Sequence, residues 1–125
     1  MSLADDERRV EQVYREYFQA LGSGDMDALA EKFTFPAVFK GFLDDVTIAT
    51  DKASLLSTYR SLIAAAPKAA HSKLGNVEVA SVRPGVYMLT VDYEQYGPDQ
   101  TLVYAGKAVY FMKRLNDDFR LFAVI

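Results

Sequence analysis

The order of hydrophobic periodicities predicts an α+β fold, with three N-terminal helices packed on a curved antiparallel sheet. Three observations carry this. Before Pro67 the apolar residues mostly recur at helical spacing, and after it tyrosines, valines and other strand formers dominate. No internal repeat, low-complexity tract or long linker interrupts the chain, so residues 1–125 read as one domain. Half of the 125 residues are hydrophobic and none is cysteine, so a real core forms without disulfide staples.

The first helix is expected from about Asp5 to Leu21. Val10, Val13, Tyr14, Tyr17, Phe18 and Leu21 fall at i, +3, +4, +7, +8 and +11, one stripe on a helix. Asp5, Asp6 and Glu7 suit the positive end of its dipole, and Gly22 suits its C-cap. Asp25 is a good N-cap for a short second helix, which turns Met26, Leu29, Ala30 and Phe33 inward and stops before Pro36. Val38–Lys40 and Val46–Ile48 read as two short strands joined through Gly41 and Asp44-Asp45. A third helix begins near Thr50 or Asp51. It carries Leu55, Leu56, Tyr59, Leu62, Ile63 and Ala66 on its stripe and ends at Pro67. Four longer strands follow at Ser72–Val82, Val86–Tyr96, Thr101–Arg114 and Asp118–Ile125, with turns at Pro84-Gly85, Gly97-Pro98-Asp99 and Asn116-Asp117. Such short connections predict an antiparallel meander.

Charge and composition exclude several roles. Fourteen basic and seventeen acidic residues give a formal charge of −3, a poor balance for nucleic-acid binding. The apolar runs are too short to span a bilayer. The opening Met1-Ser2-Leu3 before Asp5-Asp6-Glu7 has neither a basic nor an apolar leader region. With no cysteine either, the expected location is cytoplasmic. Gly22-Ser23-Gly24 follows a helix and lacks the later glycine of a dinucleotide fingerprint, and no Gly-Lys-Ser/Thr is present, so no cofactor is expected.

Tyr17-Phe18-Gln19-Ala20-Leu21-Gly22-Ser23-Gly24-Asp25, followed by Met26-Asp27-Ala28-Leu29 and Phe33, resembles the helix–"GD"–helix opening of the NTF2-like superfamily. That group includes the ketosteroid isomerases and the SnoaL-like cyclases. Phe33-Thr34-Phe35-Pro36 also looks like a set of SnoaL-like proteins without an assigned reaction. The element order extends the likeness over nearly the whole chain, and the implied fold is a cone. Between a curling sheet and a helix lies a tapered space. Left unfilled by side chains, it becomes an apolar pocket, the usual form of a small-molecule site. The fold hosts many activities and selects none.

In the register of that resemblance, Tyr17 falls where the isomerases place a tyrosine that donates a hydrogen bond to a developing oxyanion. The competing reading is a core aromatic in the middle of an apolar stripe. The same register puts Gly41, after Lys40, where the isomerases carry an aspartate base, and Val109 or Tyr110 where they carry a second donor. Neither Lys40 nor Gly41 is a carboxylate, so steroid isomerisation is not expected.

The remaining candidates are weighed on local chemistry. Asp44 and Asp45 point to opposite faces of an extended chain and suit a solvated turn. His71, the lone histidine, either serves as a base or lies exposed beside Lys68 and Lys73. Without cysteines or further histidines, no zinc site is expected. Thr90, Asp92 and Glu94 share one strand face, opposite Tyr87, Leu89, Val91 and Tyr93. They face solvent or a partner, unless Asp92 turns inward as a lone pocket carboxylate with a raised pKa. In the strand Thr101–Arg114 both faces are largely apolar. The Tyr104/Tyr110 face is expected inward because Lys107 and Lys113 lie on the other, with Gly106 and Ala108 leaving room in the cone.

Two functional expectations follow. One is a pocket for a small apolar molecule lined by Tyr14, Tyr17, Phe39, Tyr59, Tyr93, Tyr104 and Tyr110. Within it Tyr17 and Asp92 are the candidate catalytic pair of an isomerase-, cyclase- or hydrolase-type enzyme. The other is a homodimer through the open sheet face, carried by Val103, Ala105, Val109 and Phe111. A non-catalytic dimerisation or protein-interaction domain is the alternative function.

Overall fold

A computed structural model describes residues 2–125, and Met1, where the leader reading began, lies outside them. The elements run α1 (Leu3–Ser23), α2 (Met26–Glu31), β1 (Phe33–Phe39), β2 (Thr47–Ala49), α3 (Lys52–Ala65), β3 (His71–Arg83), β4 (Val86–Tyr96), β5 (Leu102–Leu115) and β6 (Asp118–Val124). The six strands form one sheet in the order β2-β1-β6-β5-β4-β3. The α+β class and the three-helix opening are as expected. One correction concerns the sheet: β1 runs parallel to β6, while the other four pairings are antiparallel.

Local chemistry sets the helix ends. Ser2 caps α1, its side chain accepting from the Asp5 N–H at 3.2 Å. At the far end Gly24, not Gly22, takes the left-handed cap conformation at φ 74°, with its N–H directed at the Ala20 and Leu21 carbonyls. Asp25 caps α2 through the Ala28 N–H. Asp51 and Ser54 form a reciprocal capping box at the start of α3. Phe33 corrects the expected helix boundary. It is buried as anticipated, but as the first residue of β1, which runs on through Pro36. The β1–β6 register shifts between Phe33 and Val38, so Pro36 sits where the ladder is already broken. On α3, Leu55, Thr58, Tyr59 and Leu62 are buried, whereas Ile63 is 52% exposed and leaves the predicted stripe.

The core fills the space between α1, α3 and one face of the sheet. Val10, Val13, Tyr14 and Tyr17 of α1 meet Tyr87, Leu89 and Val91 of β4, Tyr110 and Met112 of β5, and Phe119 and Leu121 of β6. Polar ties fasten α1 to the sheet at its N-terminal end. Arg9 donates twice to Asp118, at 2.7 and 2.8 Å. Buried Asp6 accepts from Arg114 at 2.6 Å and from the Tyr87 hydroxyl at 3.3 Å, and Arg114 lies 4.8 Å over the Phe119 ring. No helix among the described residues is long and apolar enough to cross a membrane.

Candidate functional site

Strand alternation and the position of α1 bring most of the predicted lining residues into the cone, in two groups. Tyr14, Tyr17, Phe39, Tyr59 and Tyr110 are buried deep within it. Tyr93 and Tyr104 are half-buried nearer its open end.

The deep group is close-packed. Ring centroids lie 4.7 Å apart for Tyr14 and Tyr110, 5.7 Å for Tyr17 and Tyr110, and 5.6 Å for Phe39 and Tyr59. The Tyr17 and Tyr59 hydroxyls share a hydrogen bond of 2.6 Å, in which either is the donor. Burial holds both phenols well above their usual pKa. Tyr14 is raised as well, first by burial and then by Tyr110 beside it. Tyr110 is also raised by burial, an effect that hydrogen bonding to Tyr14 and Tyr17 moderates. All four therefore stay neutral and offer O–H groups. This is a cluster of donors with no base beside it. Gly41, the position that would carry a base in the isomerase register, adopts φ +41°, and a Cβ there would lie 3.0 Å from Leu62 Cδ2. The site lacks the carboxylate, and a side chain at position 41 would need both a strained backbone and a small shift of Leu62.

The open end is built differently. β4 and β5 pair Tyr93 with Gly106 and Gln95 with Tyr104, which puts these four on one face. The loop after β1 reaches over them. The Leu43 N–H returns to the Lys40 carbonyl at 2.8 Å, and the Lys40 ammonium is held by the Leu43 and Gly41 carbonyls. Phe42 of this loop stands 5.6 Å from the Tyr104 ring, and Tyr93 stands 5.9 Å from it. Burial comes first among the causes that push the Tyr93 pKa up to about 12. Gly106 does not leave the space empty, as the sequence suggested. A Cβ at Gly106 would fall 2.4 Å from the Tyr104 ring, so Tyr104 itself occupies that room. Gln95 Oε1 is buried, and no protein group donates to it. An unpaired buried acceptor costs about 1–3 kcal/mol.

Asp92 stands as a correction. It lies on the outer face with Thr90 and Glu94, half-exposed, and pairs with Lys107 at 2.8 Å. The intervening sheet separates it from Tyr17, so the two form no acid–base pair. A shallow depression of about 440 Å³ lies beside it on that outer face, bounded by Gly75, Asp92, Ala105 and Lys107. His71 is exposed and stacks on Tyr96 at 5.4 Å. Asp44 and Asp45 lie exposed in the loop. Among the described residues, no cluster of His, Asp or Glu is arranged to hold a metal ion.

Phe42 and Gln95 were missed from sequence. Gln95 continues the parity of Leu89, Val91 and Tyr93 and was readable as inward on that ground. Phe42 carries no periodic signal, because it sits in a loop.

No family model matches the sequence, and no curated protein matches it. Solved structures do. A Nostoc punctiforme protein of unknown function with a cystatin-like fold superposes with a TM-score of 0.78 at 13% identity, covering 99% of this chain and 92% of that one. An NTF2-like protein of unknown function from Pseudomonas putida gives 0.74 at 12% identity, over 99% and 86% of the two chains. A ketosteroid isomerase-like protein from Erwinia carotovora gives 0.73 at 13%, over 95% and 92%. The chain thus has the NTF2-like, cystatin-like fold. At these identities the likeness extends to architecture alone.

Proposed function

We propose that this protein binds a small apolar molecule at the mouth of the cone, with Tyr104 as a displaceable plug. The observation that carries this is the seat of Tyr104 over Gly106, between Tyr93 and Phe42. An aromatic ring held at a half-open rim, over a glycine, leaves a ready-made apolar slot when its side chain rotates away. The deep tyrosines form the floor of that slot and give it rigidity. Binding is favoured over proton-transfer catalysis because the donor cluster lacks a base, and Asp92 lies beyond the sheet. Toluene is a suitable first probe. In amide NMR spectra its addition should move resonances of residues 40–46, 93–95 and 104–106. Absence of any shift there at millimolar toluene overturns the proposal.

A second reading concerns the other face of the sheet. Val103 is 46% exposed, Ala105 is exposed as well, and Phe111 and Phe122 pair their rings there at 6.1 Å. Exposed apolar side chains on a strand face favour a homodimer. Sedimentation should give about twice the 14.0 kDa chain mass, and Phe111→Lys should return it to one. A wild-type monomer at micromolar concentration excludes this association.

A further inference from the structure

We infer that the ligand of the mouth is an uncharged aromatic molecule bearing one O–H or N–H donor, received by Gln95 Oε1. This rests on the mouth being a binding site and adds the chemistry of what enters it. Two observations specify that chemistry. First, the slot is already filled by a phenol, that of Tyr104. Its ring packs against Tyr93 and Phe42 and lies where a Gly106 side chain would stand. A molecule that replaces this ring inherits its contacts, so it is flat and aromatic. Second, Gln95 shares the face of Tyr93 and Tyr104, and its Oε1 is buried without a donor.

Tyr104 does not satisfy that acceptor from its present seat. An incoming donor removes a cost already present in the free protein, so it contributes more than a hydrogen bond formed at an exposed group. The mouth also favours a neutral guest. The nearest cation in the covering loop, Lys40, is engaged by the Gly41 and Leu43 carbonyls, and Asp92 is engaged by Lys107 on the other face. From this loop an anion would gain no free counter-charge.

The test uses p-cresol, the free form of a tyrosine ring, and 4-methylanisole, the same ring with its donor methylated. Both are titrated into wild-type protein and into Tyr104→Ala, from which the plug is removed, with NMR shifts giving the affinities. Tyr104→Ala should bind p-cresol roughly tenfold or more tighter than 4-methylanisole. Adding Gln95→Leu should erase that preference while leaving 4-methylanisole binding in place. Wild type should show the same ranking at weaker affinity, because Tyr104 competes for the slot. Should Tyr104→Ala not fold, Tyr104→Val keeps a strand-forming residue and answers the same question. Equal affinities for the two probes overturn the donor assignment and leave the binding site standing. Tighter binding of 4-methylbenzoate than of p-cresol overturns the neutral guest. If none of these probes, nor toluene, binds either protein, the mouth is not a binding site and both readings fall.

Discussion

The depth and the mouth of the cone use the same residue type to opposite ends. At depth, Tyr14, Tyr17, Tyr59 and Tyr110 are almost wholly buried, and the Tyr17 and Tyr59 hydroxyls share a hydrogen bond. At the mouth, Tyr93 and Tyr104 are half-buried and Gln95 Oε1 has no partner. The deep tyrosines behave as core, with close-packed rings and, for Tyr17 and Tyr59, polar tips that satisfy each other. The mouth retains an unpartnered acceptor and a half-buried ring, the two features on which the proposed binding rests. A tyrosine-rich interior is therefore not by itself a pocket. What separates the two regions is which hydroxyls and amides have found partners.

Truncating one ring in each region is the sharpest way to break that contrast. Phe39 has no exposed surface and packs on Phe33 and Tyr59. Phe39→Ala should lower unfolding stability by about 3–5 kcal/mol through lost burial and a residual cavity. Tyr104→Ala should cost about 1 kcal/mol, since its ring is half solvated and leaves an open slot instead of a void. Urea melts of the two variants decide this. Similar losses would mean that the mouth is as much core as the depth, and that Tyr104 is no plug.

The hydroxyls come next. Tyr17→Phe removes one member of the 2.6 Å pair and strands the Tyr59 hydroxyl, for a loss of about 1 kcal/mol. Tyr59→Phe should cost a similar amount. The double variant should cost less than the sum of the two, because the shared bond is lost only once. Binding of p-cresol at the mouth should be unchanged in all three. A large fall in that binding for Tyr17→Phe, without a matching stability loss, would move Tyr17 from the floor of the site into the site itself.

The sequence was most informative where periodicity and caps speak locally. The α1 stripe, the Asp25 and Asp51 caps and the meander β3 to β6 were legible from spacing and turn residues. Phe33 was misplaced because an apolar residue just after a short helix fits either period, and its parallel pairing with β6 is a contact 88 residues away (Phe33 to Leu121). Asp92 was ambiguous because alternation gives two faces but not which is covered. That depends on where α1 lands, which Arg9 and Asp6 help to fix from across the fold. The mouth was hidden because its parts come from a loop and from the ends of two strands.

The smallest expected effect concerns the tie that seats α1 on the sheet, and with it the floor under the mouth. Asp118 is held well below the usual carboxylate range, chiefly by the hydrogen bond from Arg9, with Phe119 N–H and Arg120 adding to it against partial burial. A carboxylate whose pKa is depressed by folding contributes stability above its unfolded pKa of about 3.9. That contribution disappears as pH falls through that value towards the lower folded one. Arg9→Met keeps much of the side-chain bulk and removes the donor. Both partners are about a third exposed, so the loss at pH 7 should be about 1 kcal/mol or less. The more diagnostic readout is the difference between wild type and variant as pH is lowered from about 6 to about 2. Wild type should lose its advantage progressively below about pH 4, until the two proteins unfold alike. An advantage that persists to the lowest pH would show that Arg9 seats α1 by packing its stem, and that its charge has no part in holding the floor.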